Sequence, residues 1–493
     1  MQTRRIPVVV GAVLLVGYAL ALFHHTVFAV GGSDSSGYLN AARLFASGQT
    51  TAPIRGVVRL ELPPDFDPVF IPLGFTRSWR PGTMAPSYPP GFPLHMAGVA
   101  LLGGWEKAPF YVSPIAALGC LALTYALGRA LHLSRGFALA ATVLLAFAPP
   151  FVFLAVQPMS DVPATFWALA AIYAADRSHS RESTPWAATA GAAFAMGVLV
   201  RPTNVVLLVP LLIALPNWRK AWVSFAAAGL PFAVFFLAYN RSAFGSASTS
   251  GYGAILAGGM AWANFPERAR HYGYWIARLL SPFVPLGWMA LAGDRRAPPR
   301  DRALLLTWFL GFFLFYSFYG PYEAWWYTRF LLPGLPALVL GAVVLTRDLV
   351  FESGRPRSRA AIAGAAVLFV VALAFEVNFH RRERDYKFYK GERLYPDACE
   401  MARRRLPPRS IVLSMQMSGA LHYYTEITYA MWNWLMPDRF GELRASTESR
   451  GYRWYALLAP FEAAEVRKNL PGDWREIDRV GDVALWELPP VPR

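Results

Sequence analysis

Two aspartates and two arginines stand beside apolar segments of this chain, where an ionisable side chain is costly. Asp34 lies in GGSDSSGY directly after the first apolar run, Asp161 lies in QPMSDVP, Arg201 in VRPTN and Arg329 in WYTRF. Lipid disfavours an isolated charge, so ionisable residues at a membrane edge are candidates for function. Each residue also has a plain structural explanation, as a helix cap for the aspartates or as a cation that reaches the interface for the arginines.

Side chains of these types suit the attack of a hydroxyl group on a carbon that a phosphate activates. One carboxylate takes the proton of the attacking hydroxyl as a general base. Guanidinium groups hold the departing phosphate through bidentate, charge-assisted hydrogen bonds and stabilise the charge that develops on it. Asp34 is therefore our candidate for the base, and the arginines are our candidates for the phosphate site.

Three other residues are candidates for contact with the substrate. Tyr327 follows Trp325 and Trp326, and such a row of rings is equally typical of an aromatic belt at the membrane interface. We keep Tyr327 as a candidate beside the donor phosphate. Glu323 of the same segment and Tyr88 of the YPPG turn are candidate substrate-binding residues.

Sequence motifs for metal, nucleotide or hydrolase chemistry are not evident. The eight histidines form no HExxH pattern, and two cysteines, Cys120 and Cys399, are too few for a disulfide framework or a cysteine metal cluster. Asp34 and Asp161 offer oxygen ligands for a shared divalent cation, but two carboxylates are a thin ligand set. We therefore predict no cofactor and assign no metal site, and a divalent cation shared by these two aspartates stays an open alternative. The lack of a Walker loop, a GxGxxG fingerprint or a GxSxG elbow argues against nucleotide-driven transport and serine hydrolysis.

The composition predicts a chain that lies partly in lipid and partly in water. Of the 493 residues, 55% are hydrophobic and 15% are aromatic, and the mean hydropathy is +0.31. Runs such as 137–156, 221–239, 303–319 and 360–379 reach the roughly 20 apolar residues that cross a bilayer as a helix. Many of the arginines behind the net charge of +16 lie in short connections, as in inner loops, so we expect no nucleic acid partner.

The positions of the arginines predict about eleven spans, with the N-terminus in the cytoplasm and the C-terminus outside. The first apolar run, 6–30, follows Arg4 and Arg5 and lacks a convincing cleavage site, so we interpret it as a retained anchor rather than a signal peptide. Segment 186–215 is divided at Arg201-Pro202 into two short helices, because a single span would bury the arginine in mid-membrane. This topology places all of the charged candidates on the outer face.

The predicted fold is mainly α, with a polytopic transmembrane helical bundle and a small C-terminal extracytoplasmic α/β domain. The bundle covers 1–380 and includes a long first outer loop at 31–91, and the α/β domain covers 381–493. Within this tail, 411–415 has the pattern of a strand, 461–469 that of a helix, and 474–480 and 483–488 that of a hairpin across Gly481-Asp482. The tail is interpreted either as a structural lid over the acceptor side or as a sugar-binding module.

Six segments, in their order and spacing, resemble the GT-C glycosyltransferases of the protein O-mannosyltransferase and lipid A aminoarabinose transferase type, in particular their bacterial branch. The resemblance covers roughly residues 1–380. The segments are SDSSGYLNAARLFASG, YPPGFPLHMAG, PMSDVPATFWALAAIYAA, GVLVRPTNVVLLVPLL, YNRSAFGSASTSGYG and WYTRFLLPGLPALVLG.

The resemblance implies a polyprenyl-phosphate sugar donor, catalysis on the outer face, and an aspartate of the first loop as the base. It assigns the base to Asp34, a second outer-loop acid to Asp161, and the phosphate ligands to Arg329 or Arg201. Many members of the family have an acidic pair in the first loop, whereas this chain has Ser33-Asp34-Ser35. We therefore expect a single base in this loop.

The resulting hypothesis is a hexosyl- or pentosyltransferase of the bacterial inner membrane. It would transfer a sugar from a polyprenyl-phosphate donor to a hydroxyl group of a lipid, glycan or protein acceptor, with inversion at the anomeric carbon. The main alternative is a transporter or lipid flippase, for which we would expect internal repeats and polar residues in mid-membrane. A third hypothesis is an assembly or sensor protein whose tail binds a partner.

Overall fold

The structure is a computed structural model that describes residues 5–253, 259–320, 323–352, 355–383, 389–470 and 472–490. The chain forms two compact units. The first, which we call the helical unit, comprises Met1–Thr26, Phe110–Phe235 and Ile255–Lys387. The second, which we call the loop-and-tail unit, comprises Val27–Pro109, Phe236–Ala254 and Phe388–Arg493. Helices predominate in the described residues, which confirms the predicted mainly α class.

The helical unit is built from long apolar helices and a few short turns of 3₁₀ helix. Its α-helices are Arg5–His25, Val112–Ala130, Arg135–Phe147, Pro149–Ala155, Asp161–Arg181, Thr184–Val200, Leu208–Ala214, Arg219–Phe244, Phe265–Leu280, Phe283–Ala290, Pro299–Ser317, Leu335–Val350 and Arg359–Glu383. The helix Arg219–Phe244 belongs to this unit as far as Phe235. The 3₁₀ helices Pro202–Leu207, Trp262–Asn264, Leu291–Gly293 and Trp325–Gly334 connect them, and the strands Phe351–Glu352 and Arg355–Pro356 form a small hairpin.

Four helices of the described residues are long and apolar enough to cross a membrane: Ala108–Ala130, Arg219–Phe244, Trp325–Val350 and Arg359–Glu383. Two bent pairs raise this number to six. One of them bends by 64° between Phe147 and Pro149, because the two prolines that follow Ala148 cannot continue the helix. The exact number of about eleven spans stays a prediction.

The structure confirms the predicted break at Arg201. The helix Thr184–Val200 ends there, Arg201 is extended with φ −148° and ψ 107°, and a 3₁₀ helix starts at Pro202. The reason is local, since a proline disfavours the α conformation of the residue before it. The break turns the arginine out of a regular helix between two short apolar helices.

The loop-and-tail unit contains a five-stranded mixed sheet. Its strands, in spatial order, are Thr428–Ala430, Ser410–Leu413, Arg453–Leu458, Val483–Leu488 and Arg475–Val480. A smaller antiparallel sheet is made by Ala52–Pro53, Thr83–Pro86 and Phe75–Arg77. The α-helices are Ser33–Ala46, Arg55–Arg59, Gly91–Gly103, Tyr389–Glu392, Leu394–Arg405, Ser418–Tyr424, Pro437–Ser449 and Pro460–Asn469, with 3₁₀ helices at Pro64–Phe70 and Trp432–Trp434.

The patterns predicted in the tail match these elements. The hairpin is antiparallel, and Val480 pairs with Val483 across the two-residue turn. The strand and the helix begin within one residue of the predicted positions 411 and 461. The predicted boundary at residue 381 stays a prediction, and the compact units divide the chain differently, because first-loop and tail side chains share one apolar core. This core includes Ile54, Phe70, Met84, Ile411, Leu413 and Trp454.

Candidate functional site

Asp34 is the second residue of the helix Ser33–Ala46 in the loop-and-tail unit. Gly32 caps this helix with φ 55°, a conformation that favours glycine. The backbone N–H groups of a first helical turn and the helix dipole both favour a negative charge at this position. The residue is half-buried.

Tyr88 donates a hydrogen bond that orients this carboxylate. Its hydroxyl donates to Oδ1 of Asp34 at 2.5 Å and lies 2.8 Å from Oγ of Ser33. Because the tyrosine proton points to the Asp34 carboxylate, the tyrosine oxygen accepts a hydrogen bond from the Ser33 hydroxyl. Burial raises the pKa of the Tyr88 phenol well above its ordinary value, and the neighbouring Asp34 raises it further. Tyr88 therefore stays a neutral donor at any physiological pH.

Two glycines let the tyrosine ring come this close to the helix. A Cβ atom on Gly37 would lie 2.6 Å from the Tyr88 ring and 2.8 Å from Cα of Gly74. Gly74 itself has φ 88°. The ring of Tyr38 adds a side contact, with its centroid 4.8 Å from that of Tyr88. The helix and the later part of the first loop, which carries Gly74 and Tyr88, therefore pack closely around the Asp34 carboxylate.

A second cluster, in the helical unit, pairs Asp161 with Arg201. Asp161 is the first residue of the helix Asp161–Arg181 and is 2% exposed, and Arg201 is 7% exposed. Nη1 of the arginine donates to Oδ1 of the aspartate. Nε of Arg201 also donates to the hydroxyl of Tyr316 at 3.2 Å, and that hydroxyl lies 2.7 Å from Oγ1 of Thr203. Burial at this depth requires such partners, because an unpaired charge would be very costly.

The ring of Phe330 brings Arg201 and Arg329 to one place. Each guanidinium carbon lies 5.3 Å from the centroid of this ring. Arg329 also lies 5.9 Å from the ring of Tyr327, in the same 3₁₀ helix Trp325–Gly334. Cations stack on aromatic faces in this way. The cluster therefore gathers two guanidinium groups at an aromatic surface, with Arg329 the more exposed of the two.

The structure brings the predicted residues together in two groups. Asp34 and Tyr88 are in contact in one unit, and Asp161, Arg201, Arg329 and Tyr327 form the cluster in the other. Glu323 is exposed. The roles of all these residues, and their convergence on one mouth, stay predictions.

Sequence reasoning missed three members of the second cluster: Thr203, Tyr316 and Phe330. Thr203 stands two residues after Arg201 in a segment that was already singled out, and its hydroxyl could have been noted. Tyr316 is a polar ring near the end of an apolar run, which is a weak indication on its own. Nothing in the sequence distinguishes Phe330 from the many other phenylalanines.

Metal ligands are not grouped in the described part of the chain. No set of three or more histidine, cysteine, aspartate or glutamate side chains there is arranged to hold an ion. A cation would need at least that many protein ligands unless water or substrate supplied the rest.

Comparison with known proteins gives a family match and several structural matches. Residues 87–240 match the family model described as dolichyl-phosphate-mannose-protein mannosyltransferase. No curated protein matches the chain by sequence.

The solved structures that resemble this chain do so at low sequence identity. ArnT from Cupriavidus metallidurans in the apo state aligns over 99% of this chain and 98% of its own, with 14% identity and a TM-score of 0.57. The same protein bound to undecaprenyl phosphate aligns over 96% and 97%, with 14% identity and a TM-score of 0.55. The arabinofuranosyltransferase AftD from mycobacteria aligns over 97% of this chain but 41% of its own, with 14% identity and a TM-score of 0.54.

These matches agree with each other on the fold. The alignment with ArnT extends over nearly the full length of both chains, including the tail. The predicted resemblance to the GT-C glycosyltransferases is therefore confirmed, by the family model over residues 87–240 and by the fold over nearly the whole chain.

Proposed function

We propose that this protein is a glycosyltransferase of the bacterial inner membrane that transfers a sugar from a polyprenyl-phosphate donor to a hydroxyl acceptor on the outer face. The observation that carries the proposal is the Asp34 carboxylate, which Tyr88 orients at a helix N-terminus. The N-terminus lies in the cytoplasm in this account, and the loop-and-tail unit lies outside.

The first half of the reaction is the activation of the acceptor. Asp34 removes the proton of the acceptor hydroxyl as its oxygen attacks the anomeric carbon. The hydrogen bond from Tyr88 fixes the rotation of the carboxylate. Attack from the side opposite to the phosphate inverts the configuration of the anomeric carbon.

The second half is the departure of polyprenyl phosphate. The bond between the anomeric carbon and the phosphate oxygen breaks, and the electron pair stays on the phosphate. Arg329 and Arg201 stabilise this charge, with Tyr327 beside them. We assign Asp161 to orienting Arg201, because its carboxylate is buried against that side chain.

The comparisons support the class of donor. The description of the matching family names a dolichyl-phosphate sugar. ArnT, which has the same fold, was solved with undecaprenyl phosphate bound. Both compounds are polyprenyl phosphates or close relatives of them. The acceptor is a hydroxyl group of a lipid, a glycan or a protein, and Tyr88 and Glu323 are the residues proposed to contact substrate.

The donor class can be tested with purified protein in detergent or in proteoliposomes. A panel of radiolabelled sugars is offered either as polyprenyl-phosphate derivatives or as nucleotide derivatives, together with a heat-inactivated membrane extract, freed of polyprenyl phosphate, as the source of acceptors. We expect label to move to an acceptor from a lipid-linked donor only, with free polyprenyl phosphate as the other product. Transfer from a nucleotide sugar in the absence of lipid carrier would contradict the proposal.

A further inference from the structure

The segment just before Asp34 is held by a tyrosine from the tail. A Cβ atom on Gly31 would lie 2.3 Å from Cδ2 of Tyr395, so only glycine leaves room for this ring. The Tyr395 hydroxyl also lies beside Gly32, which caps the Asp34 helix, since a Cβ atom on Gly32 would lie 3.7 Å from it. Burial raises the pKa of this phenol, whereas the hydrogen bond from Gln416 lowers it in part. The hydroxyl stays protonated near neutral pH.

The same hydroxyl connects to the five-stranded sheet. Nε2 of Gln416 donates to the Tyr395 oxygen at 2.6 Å. The backbone N–H groups of Met415 and Gln416 donate in turn to Oε1 of Glu462 at 2.9 and 3.0 Å. Glu462 is fully buried, and it also accepts from Nε1 of Trp432 and from the backbone of Ala459, each at 2.9 Å. A carboxylate with this many donors is a rigid anchor.

The contacts form one continuous path within the loop-and-tail unit. The path runs from Glu462 through the backbone of Gln416 and its side chain to Tyr395. The Tyr395 ring then packs against Gly31, and its hydroxyl lies beside Gly32, two residues before Asp34. A parallel contact supports it nearby, where the backbone N–H of Val30 donates to the hydroxyl of Tyr424 at 2.8 Å. Both contacts join the tail to the residues that lead into the Asp34 helix.

We propose that Tyr395 is a positioning residue for the base, and that the tail serves the reaction by holding the Gly31-Gly32 segment so that Asp34 faces the acceptor. This inference rests on the proposed function of Asp34. It gives the tail a role other than a lid or a sugar-binding module. Small changes in the placement of a catalytic group lower the rate strongly, so the effect should fall on turnover rather than on binding of the donor.

The test uses the full-length protein and the Tyr395→Phe variant, which keeps the ring and removes the hydroxyl. Tyr455→Phe is the matched control, because its hydroxyl also bonds within the sheet of this unit, to Glu487 at 3.5 Å, and not to the Gly31-Gly32 segment. We expect Tyr395→Phe to lower kcat about tenfold with the donor KM unchanged, and the control to match the wild type. Gln416→Leu should lower kcat similarly, and the double variant should be no worse than either single one.

Hydrogen exchange gives a second measurement that does not depend on turnover. In Tyr395→Phe, peptides that cover 30–46 should exchange faster, whereas peptides that cover 437–449 should not change. Equal kcat for Tyr395→Phe and Tyr455→Phe, additive effects of Tyr395→Phe and Gln416→Leu, or unchanged exchange in 30–46 would each overturn the positioning role. Failure of the proposed function would look different, because Asp34→Asn would then keep its turnover.

Discussion

Asp34 and Asp161 have different surroundings, and this difference supports the different roles that we propose for them. Asp34 is partly exposed and accepts a hydrogen bond from a neutral tyrosine, so it can take a proton from a substrate. Asp161 is 2% exposed and paired with Arg201, so its charge is balanced by the guanidinium group of that arginine. The sequence identified both aspartates, but their partners come from residues 54 and 40 positions away, and such pairings are not visible in a single sequence.

Glu392 gives a prediction about pH at the residue scale. Its carboxylate packs against Gly31, and burial raises its pKa from 4.5 to about 7. The folded protein therefore keeps a proton that the unfolded chain releases between these values, so stability falls as the pH rises from about 4.5 through 7. Glu392→Gln should remove this loss, on the order of 1 to 3 kcal/mol in the free energy of unfolding between pH 5 and pH 8.

The measurement is the apparent melting temperature of the detergent-solubilised protein across this pH range. Glu442→Gln, at an exposed position of the helix Pro437–Ser449, is the control and should follow the wild type. Parallel profiles of melting temperature against pH for the wild type and Glu392→Gln would show that burial does not raise the pKa of the Glu392 carboxyl.

Arg329 gives a prediction about the phosphate. Arg329→Lys keeps the charge but loses the planar group that binds phosphate with two hydrogen bonds and stacks on Phe330. We expect kcat/KM for the donor to fall about tenfold or more. Arg278→Lys is matched, because Arg278 also lies 5.9 Å from a tyrosine ring, that of Tyr274, at an exposed helix end. Equal kinetics for the two variants would exclude Arg329 from the phosphate site.

At the scale of elements, the fit between the Asp34 helix and the loop that carries Tyr88 is the feature most sensitive to substitution. Gly37→Ala would add a Cβ atom within 2.8 Å of both the Tyr88 ring and the backbone of Gly74. Alanine favours a helix over glycine by about 1 kcal/mol, but the clash with fixed backbone should exceed this gain. We therefore expect lower thermal stability and lower kcat.

Gly98→Ala is the control for this element. Gly98 lies inside the helix Gly91–Gly103 of the same unit and has open space around its Cα atom. This variant should be as stable as the wild type or slightly more stable. If Gly37→Ala and Gly98→Ala had the same melting temperature and the same kcat, the close approach of Tyr88 to the helix would not be required for stability or turnover.

The sequence predicted elements well where the cause is local. Pro202 predicted the break after the helix Thr184–Val200, and Gly481-Asp482 predicted the tail hairpin. The number of spans was predicted less completely, because only four described helices, or six with the two bent pairs, have the length and hydropathy of a span, and other apolar helices are shorter. Hydropathy alone cannot tell a short helix inside a bundle from a full span.

At the scale of the whole molecule, the first loop and the tail form one folding unit. Nη1 of Arg55 donates to the carbonyl of Thr425 at 2.7 Å, and the backbone N–H of Leu73 donates to Oγ of Ser418 at 3.0 Å. The side chain of Asn40 donates to the carbonyl of Gly419 at 3.0 Å. These contacts join residues more than 300 positions apart, which explains why composition alone suggested a separate tail domain.

A truncated protein tests this unit. Removal of 388–493 would expose the apolar core that the loop shares with the sheet, and the loop should then lose its fold. We expect trypsin to cut the truncated protein rapidly at Arg55, Arg59 or Arg77, and the full-length protein slowly. Equal cleavage of both proteins in this segment would mean that the loop folds without the tail.

Asp34 is the proposed catalytic base, and the turnover of Asp34→Asn in the lipid-linked transfer assay tests this role. Asp438→Asn is the matched control, because Asp438 is also the second residue of a helix in the same unit and is exposed. We predict that kcat of Asp34→Asn falls by about a hundredfold or more, while Asp438→Asn keeps wild-type kinetics and both melt like the wild type. Turnover of Asp34→Asn equal to that of Asp438→Asn would exclude Asp34 as the base.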